Sequence, residues 1–312
     1  MSKERKKFLL RNVSWIVMRV FTYLNGIIPL SWNYFLGKVL GTIAYLVVRR
    51  HRKIALDGLE FAFGEKTVKQ RKEIARQVFI FMAQSSFELL HYLKNIHQLK
   101  NIRIDGEEYL KQALKKKKGV IIVTAHLGNF PLMSLKLAKE GYPVSFVTRP
   151  MRDEKTSDYI HNLRSATGVK TIFSYPRREC VNNIIKALAN NEIVVMQMDQ
   201  NFGTGGVWVK FFGQLAATPV GAIVLALRTQ SALVPAYIYR KACGKHCIKV
   251  LPEEELVVAE EKDETVLINT IKFTRIIEGW VREHDFQWSW IHRRWKSRPS
   301  KEVERLKFKI EQ

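Results

Sequence analysis

The chain has 312 residues, 46% apolar and 26% charged, which excludes wholesale disorder and allows one large domain or two ordinary ones. Its 52 Lys+Arg against 29 Asp+Glu give a formal net charge of +23, so some partner is anionic: nucleic acid, acidic protein, phosphorylated small molecule or anionic lipid. Cys180, Cys243 and Cys247 make no disulfide framework, and the last two, around His246, match no usual zinc pattern, so a reduced setting is expected.

Residues 1–11 carry five Lys or Arg and one Glu. An uncharged run of eighteen residues, VFTYLNGIIPLSWNYFLG, follows Arg19 and is interrupted for helix by Gly26 and Pro29. VLGTIAYLVV then leads to the cations Arg49, Arg50, Arg52 and Lys53. Two readings fit: a pair of helices buried in a soluble core, or an amphipathic anchor. Membrane attachment is favoured, with Trp15, Trp32, Tyr23 and Tyr34 at headgroup level and flanking cations on anionic lipid, and both lying on the bilayer and crossing it stay open. Residues 1–55 are accordingly set apart as a membrane-associated helical segment, and no cleavable signal follows them.

From Thr67 the spacing predicts a long helix, with Thr67 and Gln70 as a capping box and Ile74, Val78, Phe81, Met82, Leu89 and Leu93 at helical intervals. KKKK at 115–118 leads into GVIIVTA, a continuous apolar stretch of the kind found in a strand covered on both faces. Beyond it strands and helices alternate: PLMSLKLAKE as helix, VSFVT as strand, YIHNLRSAT as helix stopping at Gly168, TIFS as strand, VNNIIKALAN as helix and EIVVMQMD as strand. Thr218 and Pro219 fit the cap and first position of a helix through VGAIVLALRT. LVPAYIYRK and HCIKVLP then form a hairpin around Cys-Gly-Lys, and a helix from about Glu264 to Glu283 precedes a basic, Trp-rich tail. The fold class expected is α/β, with a mixed, largely parallel central sheet flanked by helices, occupying residues 56–312.

Ligands of such sheets gather outside the carboxyl ends of the strands. His126 follows GVIIVTA, Arg149 ends VSFVT and Asp199 ends EIVVMQM, so a base, a cation and an acid meet one sheet edge. After His126, Gly128 allows close backbone approach, Asn129 suits a helix N-cap and Pro131 the first turn. The base would then stand where helix N–H groups stabilise developing negative charge, able to take a proton from a hydroxyl.

Four ordered blocks between Leu24 and Pro299 carry a resemblance. They are ALDGLEFAFGEKTVKQRKEIARQVF, GVIIVTAHLGNF, the stretch from MDQNFGTGGVWVKFFGQ through LAATPVGAIVLALRTQSALVP, and QWSWIHRRWKSRP. Together they resemble the bacterial lipid A biosynthesis lauroyl/myristoyl acyltransferases, with Gly58 where that family usually has asparagine. The resemblance implies transfer of a fatty acyl chain from a thioester, on acyl carrier protein or coenzyme A, to a hydroxyl of a lipid A precursor or related glycolipid. It implies His126 as general base, and it places Asn129, Arg149, Arg164 and the Gly203, Thr204, Gly205, Gly206 loop among substrate-contacting segments. The implied partners are acyl carrier protein and anionic membrane lipid at the cytoplasmic face of a bacterial inner membrane, with no cofactor and no metal. One departure stands out. The family pattern is a histidine, four residues, then a carboxylate, and here that place is Pro131. Another acid can replace it through space, Asp199 first; His126 can act alone on a reactive thioester; or the protein is an inactive or weakened lipid-binding relative. Nucleic acid is set aside, because no recognition motif accompanies the charge and the aromatic, basic tail belongs to the resemblance.

Overall fold

Two helices at the amino terminus, α1 (Lys3–Ile27) and α2 (Leu30–Val47), meet at Ile28 and Pro29 and pack on the long helix that spans Val68–Lys94. The computed structural model describes residues 3–150, 153–242 and 244–299. Cys243 lies outside them, and so do the side chains of the basic cluster in residues 1–11. Helix α3 (Arg49–Ala62) runs unbroken across residue 55 into the rest of the chain. Helix α4 (Val68–Lys94) begins at the expected capping box: Gln70 N–H donates to Thr67 Oγ1, and Thr67 N–H donates to Gln70 Oε1 at 2.8 Å.

Helix α2 approaches α4 through Asn33, Gly37 and Gly41, which repeat every four residues and are buried. A Cβ at Gly37 would stand 2.8 Å from Gln84 Cα, and one at Gly41 would stand 2.5 Å from Ile80 Cα, so only glycine permits this contact. The opposite face is apolar and open: Trp32 is 59% exposed, Phe35 57%, Leu46 62% and Val47 67%. The buried-core reading therefore fails for this face of α2. Tyr34 differs from Trp32, since it turns inward and donates its hydroxyl to Gly244 O at 3.0 Å. It belongs to a buried polar cluster, not to a headgroup belt.

The sheet has seven strands. In sequence they are β1 (Arg103–Asp105), β2 (Val120–Thr124), β3 (Val144–Thr148), β4 (Lys170–Phe173), β5 (Ile193–Gln197), β8 (Ala232–Arg240) and β9 (His246–Val250), while β6 (Val207–Phe211) and β7 (Gln214–Thr218) form a separate hairpin. Their order in the sheet is β1-β9-β8-β2-β5-β3-β4. Strands β8, β2, β5, β3 and β4 are mutually parallel, β9 returns antiparallel to β8, and β1 runs parallel to β9. The sheet is thus mixed and largely parallel. Every residue of β2 is fully buried, as the unbroken apolar run requires of a strand covered by helices on both faces. The connecting helices are α5 (Glu107–Lys115), α6 (Phe130–Lys139), α7 (Glu154–Ser165), α8 (Arg177–Ala189), α9 (Gly221–Thr229) and α10 (Lys262–Glu283).

Thr218 departs from the helix cap expected of it. It ends β7, and its hydroxyl bonds Ala216 O and accepts from Arg294 Nη2 at 2.5 Å, while α9 starts three residues later at Gly221.

Candidate active site

The register of the two central strands builds the site. Thr124 of β2 lies opposite Gln197 of β5. Two residues beyond each, at the carboxyl edge of the sheet, stand His126 and Asp199. Asp199 Oδ1 accepts from His126 Nδ1 at 2.8 Å, and Oδ2 accepts the His126 backbone N–H at 2.8 Å and Trp288 Nε1–H at 2.7 Å. Burial alone would raise the Asp199 pKa, but the charge of His126, its two hydrogen bonds and that of Trp288 hold the carboxyl below the usual carboxylate range. An ionised carboxylate only accepts, so Nδ1 carries a proton, and in the neutral ring the lone pair is on Nε2. Asp199 has no exposed side-chain surface, whereas the His126 side chain is 22% exposed, so the imidazole is the member of the pair open to a substrate.

His126 forms part of the wall of a cavity of about 180 Å³. The rest is mostly apolar, from Phe81, Met82 and Leu89 of α4 and Phe130 and Pro131 at the start of α6. Gly128 holds this corner together. Its φ is +61°, its N–H donates to Gln287 O at 2.9 Å, and a Cβ there would run into the Ile238 carbonyl. Ser289 N–H donates to His126 O at 3.1 Å, so the Trp-rich tail clamps the His126 turn from the other side.

Asn129 occupies the cap position of α6, but its side chain makes no cap bond. Its amide donates to Ser85 O at 2.9 Å and to Glu88 Oε2 at 3.1 Å, so Asn129 lines the cavity while tied to the helix behind it. Glu88 is the centre of a buried cluster that sequence reasoning missed: Arg240 Nη1 and His246 Nε2 each lie 3.0 Å from its Oε1. Burial would raise the Glu88 pKa, yet the hydrogen bond and charge of His246, the charge of Arg240 and the Tyr34 hydroxyl bring it down to about 2. A signal for it exists in α4, where Gln84, Glu88 and His91 interrupt the apolar stripe on the inward face. Gln287, Trp288 and His292 were legible only as parts of the closing block. His292 is kept neutral by burial, its pKa lowered, and its Nε2 accepts the Asn201 backbone N–H at 3.1 Å.

The other anticipated residues sit elsewhere. Arg149 is exposed at the end of β3, one strand beyond β5. Arg164 packs its guanidinium 5.3 Å from the Phe146 ring and donates to Thr171 Oγ1 at 3.2 Å; burial lowers its pKa. Neither reaches the His126 cavity, and Gly203, Gly205 and Gly206 do not line it either. Gly203–Gly205 form a 3₁₀ turn, the Thr204 side chain lies outside the described residues, and a Cβ at Gly206 would strike Thr218 O. Gly58 faces the tail: a Cβ there would lie 3.3 Å from Trp290 and 3.5 Å from Trp295, so the smaller residue lets α3 seat both indoles.

The chain is 25% identical over 292 residues to the lipid A biosynthesis lauroyltransferase of Escherichia coli K12, covering 92% of this chain and 90% of that one. It is 25% identical over 276 residues to the lipid A biosynthesis palmitoleoyltransferase of the same organism, covering 85% of each. It is also 25% identical over 156 residues to a phosphatidylinositol mannoside acyltransferase of Mycobacterium tuberculosis, covering 50% of this chain and 49% of that one. The model of the bacterial lipid A biosynthesis acyltransferases matches residues 1–297, and the chain belongs to that family.

Proposed function

We propose that the protein moves a fatty acyl chain from an acyl-carrier-protein or coenzyme A thioester to a hydroxyl of a lipid A precursor or related glycolipid. The observation that carries this reading is the His126–Asp199 pair at the wall of an apolar cavity. His126 Nε2 takes the hydroxyl proton as the oxygen attacks the thioester carbonyl. The amides of Asn129 and Phe130, at the uncapped start of α6, offer N–H groups to the oxyanion. The C–S bond then breaks, and the imidazolium returns its proton to the departing thiolate, so the pair ends as it began. Asp199 holds the tautomer and stabilises the imidazolium. Lipid mass spectrometry of cells with and without the gene tests the reading: a lipid heavier by one acyl chain in cells carrying the gene supports it, and identical lipids contradict it.

The departure at Pro131 raises the inactive alternative, and the position of Asp199 weighs against it. Asp199 already occupies Nδ1, so a carboxylate at residue 131 would have no vacant imidazole N–H to accept. Pro131→Glu is therefore expected to give no gain in acyl transfer rate. A sharp gain would mark the native protein as a weakened catalyst.

Membrane attachment belongs to the same proposal. No helix among the described residues is long and apolar enough to cross a bilayer. The exposed apolar face of α1 and α2, with Leu24, Trp32, Phe35 and Val47, supports an anchor lying in the interface at the cytoplasmic face of the inner membrane. Salt screens the flanking cations within about 10 Å at 0.1 M but leaves apolar burial intact. Raising salt should thus release only part of the protein from anionic vesicles in sedimentation, and complete release would contradict the apolar anchor.

A further inference from the structure

A second cavity, of about 380 Å³, shares no lining residue with the first. Its wall carries Arg50 and His51 from the start of α3, Asn201, and His292, Arg293 and Lys296 from the tail, and no acidic residue. Arg50, Arg293 and Lys296 have no ion-pair partner among the described residues. Packing gathers these cations. Trp290 and Trp295 of the tail seat on Gly58 of α3, and the Trp295 ring lies 5.7 Å from that of Phe61. Like charges held in one concavity repel, and an anion entering it removes that cost.

Two features locate the ligand. Arg50 follows by three residues Val47, 67% exposed at the end of the apolar face, so the cavity borders the end of the proposed interfacial anchor, where headgroups would lie. Asn201 lies two residues past Asp199, within about 7 Å of chain, and His292 holds the Asn201 amide. Arg guanidinium groups match phosphate oxygens two at a time, and Lys296 adds a point charge.

We infer that this cavity binds a phosphate monoester on the headgroup of the acceptor lipid and so presents the lipid's hydroxyl to His126. The inference rests on the acyl-transfer reading for its role in catalysis, but the binding itself does not.

The test uses the full-length protein, an Arg50→Ala/Arg293→Ala variant and a charge-matched Lys115→Ala/Lys139→Ala control, both of whose lysines are exposed and line neither cavity. Binding is measured to phosphatidylcholine vesicles with and without phosphatidic acid, a lipid with a phosphate monoester. The cavity variant should bind the phosphatidic acid vesicles about tenfold more weakly than wild type, with the control within about twofold. Equal loss in both variants would reduce the effect to diffuse charge and overturn the inference, as would wild-type binding by the cavity variant. In acyl transfer, the cavity variant should raise KM for the lipid acceptor and leave KM for the thioester unchanged. The reverse split would assign the cavity to the phosphate of the donor's pantetheine arm and overturn it. Inorganic phosphate should compete for the wild-type protein and leave the cavity variant's residual binding unchanged; equal competition against both would overturn it. A wild-type protein with no acyl transfer would sink the catalytic reading alone, because vesicle binding is read without turnover.

Discussion

Asp199→Asn is expected to lower acyl transfer by about 10⁴-fold while leaving the fold in place, the magnitude found when the equivalent change is made in the serine-protease triad. The reason lies in the three donors around this carboxylate. Oδ2 accepts both the His126 backbone N–H and the Trp288 indole N–H, so in the amide the oxygen must take that position. The –NH2 group is then left facing His126 Nδ1, which can only accept from it. The ring proton moves to Nε2, and the nitrogen facing the substrate loses the lone pair it needs. Nitrogen NMR of the His126 ring distinguishes this from a mere loss of charge: the proton should sit on Nδ1 in the wild type and on Nε2 in the variant. A variant with wild-type rates would leave Asp199 with no catalytic role. The depressed pKa of Asp199 adds a pH dependence. Its contribution to stability is present above the ordinary carboxylate range and is lost as pH falls through the lower folded value.

Glu88→Ala carries the largest expected effect on stability. Glu88 is fully buried, and its removal leaves Arg240, with a side chain only 10% exposed, as an uncompensated cation beside a buried His246. Breaking a buried pair in this way costs about 3–5 kcal/mol. It also frees the Asn129 amide from one of its two acceptors, loosening the wall that carries the start of α6. Denaturant unfolding at neutral pH measures the loss; a change below about 1 kcal/mol would show the cluster to be energetically idle. The sign with pH follows from the depressed carboxyl. The Glu88 contribution is present above its ordinary pKa near 4.5 and disappears as pH falls through about 2. A Glu88→Gln variant should therefore show less acid dependence than wild type between these values.

Much of the site was legible because it depends on strand ends. The apolar runs marking β2 and β5 are continuous, and both strands stop two residues before a polar side chain, so His126 and Asp199 meet once the strands are neighbours. That they are neighbours, in register, is a tertiary fact carried by no local signal. The hairpin of β6 and β7 escaped because its two-residue turn is Phe212-Gly213, both at positive φ, with no Asn-Gly or Asp-Gly to mark it. Thr218 next to Pro219 looks locally like a helix cap; its hydroxyl is instead claimed by Arg294, 76 positions away. Tyr34 fits a headgroup belt by spacing and is drawn inward by Gly244 and the Glu88 cluster. In each case a partner distant in sequence outweighs the local pattern. The charge of +23 was the least informative feature alone, and it gains meaning from where Arg50, Arg293 and Lys296 converge.

His126 is proposed as the base for transfer of an acyl chain to a lipid hydroxyl. The most direct measurement follows acylated lipid by mass spectrometry in reactions of purified wild-type and His126→Ala protein with an acyl-carrier-protein thioester and a lipid A precursor. The wild type is expected to form product and the variant to react at least about 10²-fold more slowly, the contribution of a positioned general base, at unchanged thermal stability. Equal rates from the two proteins would contradict it.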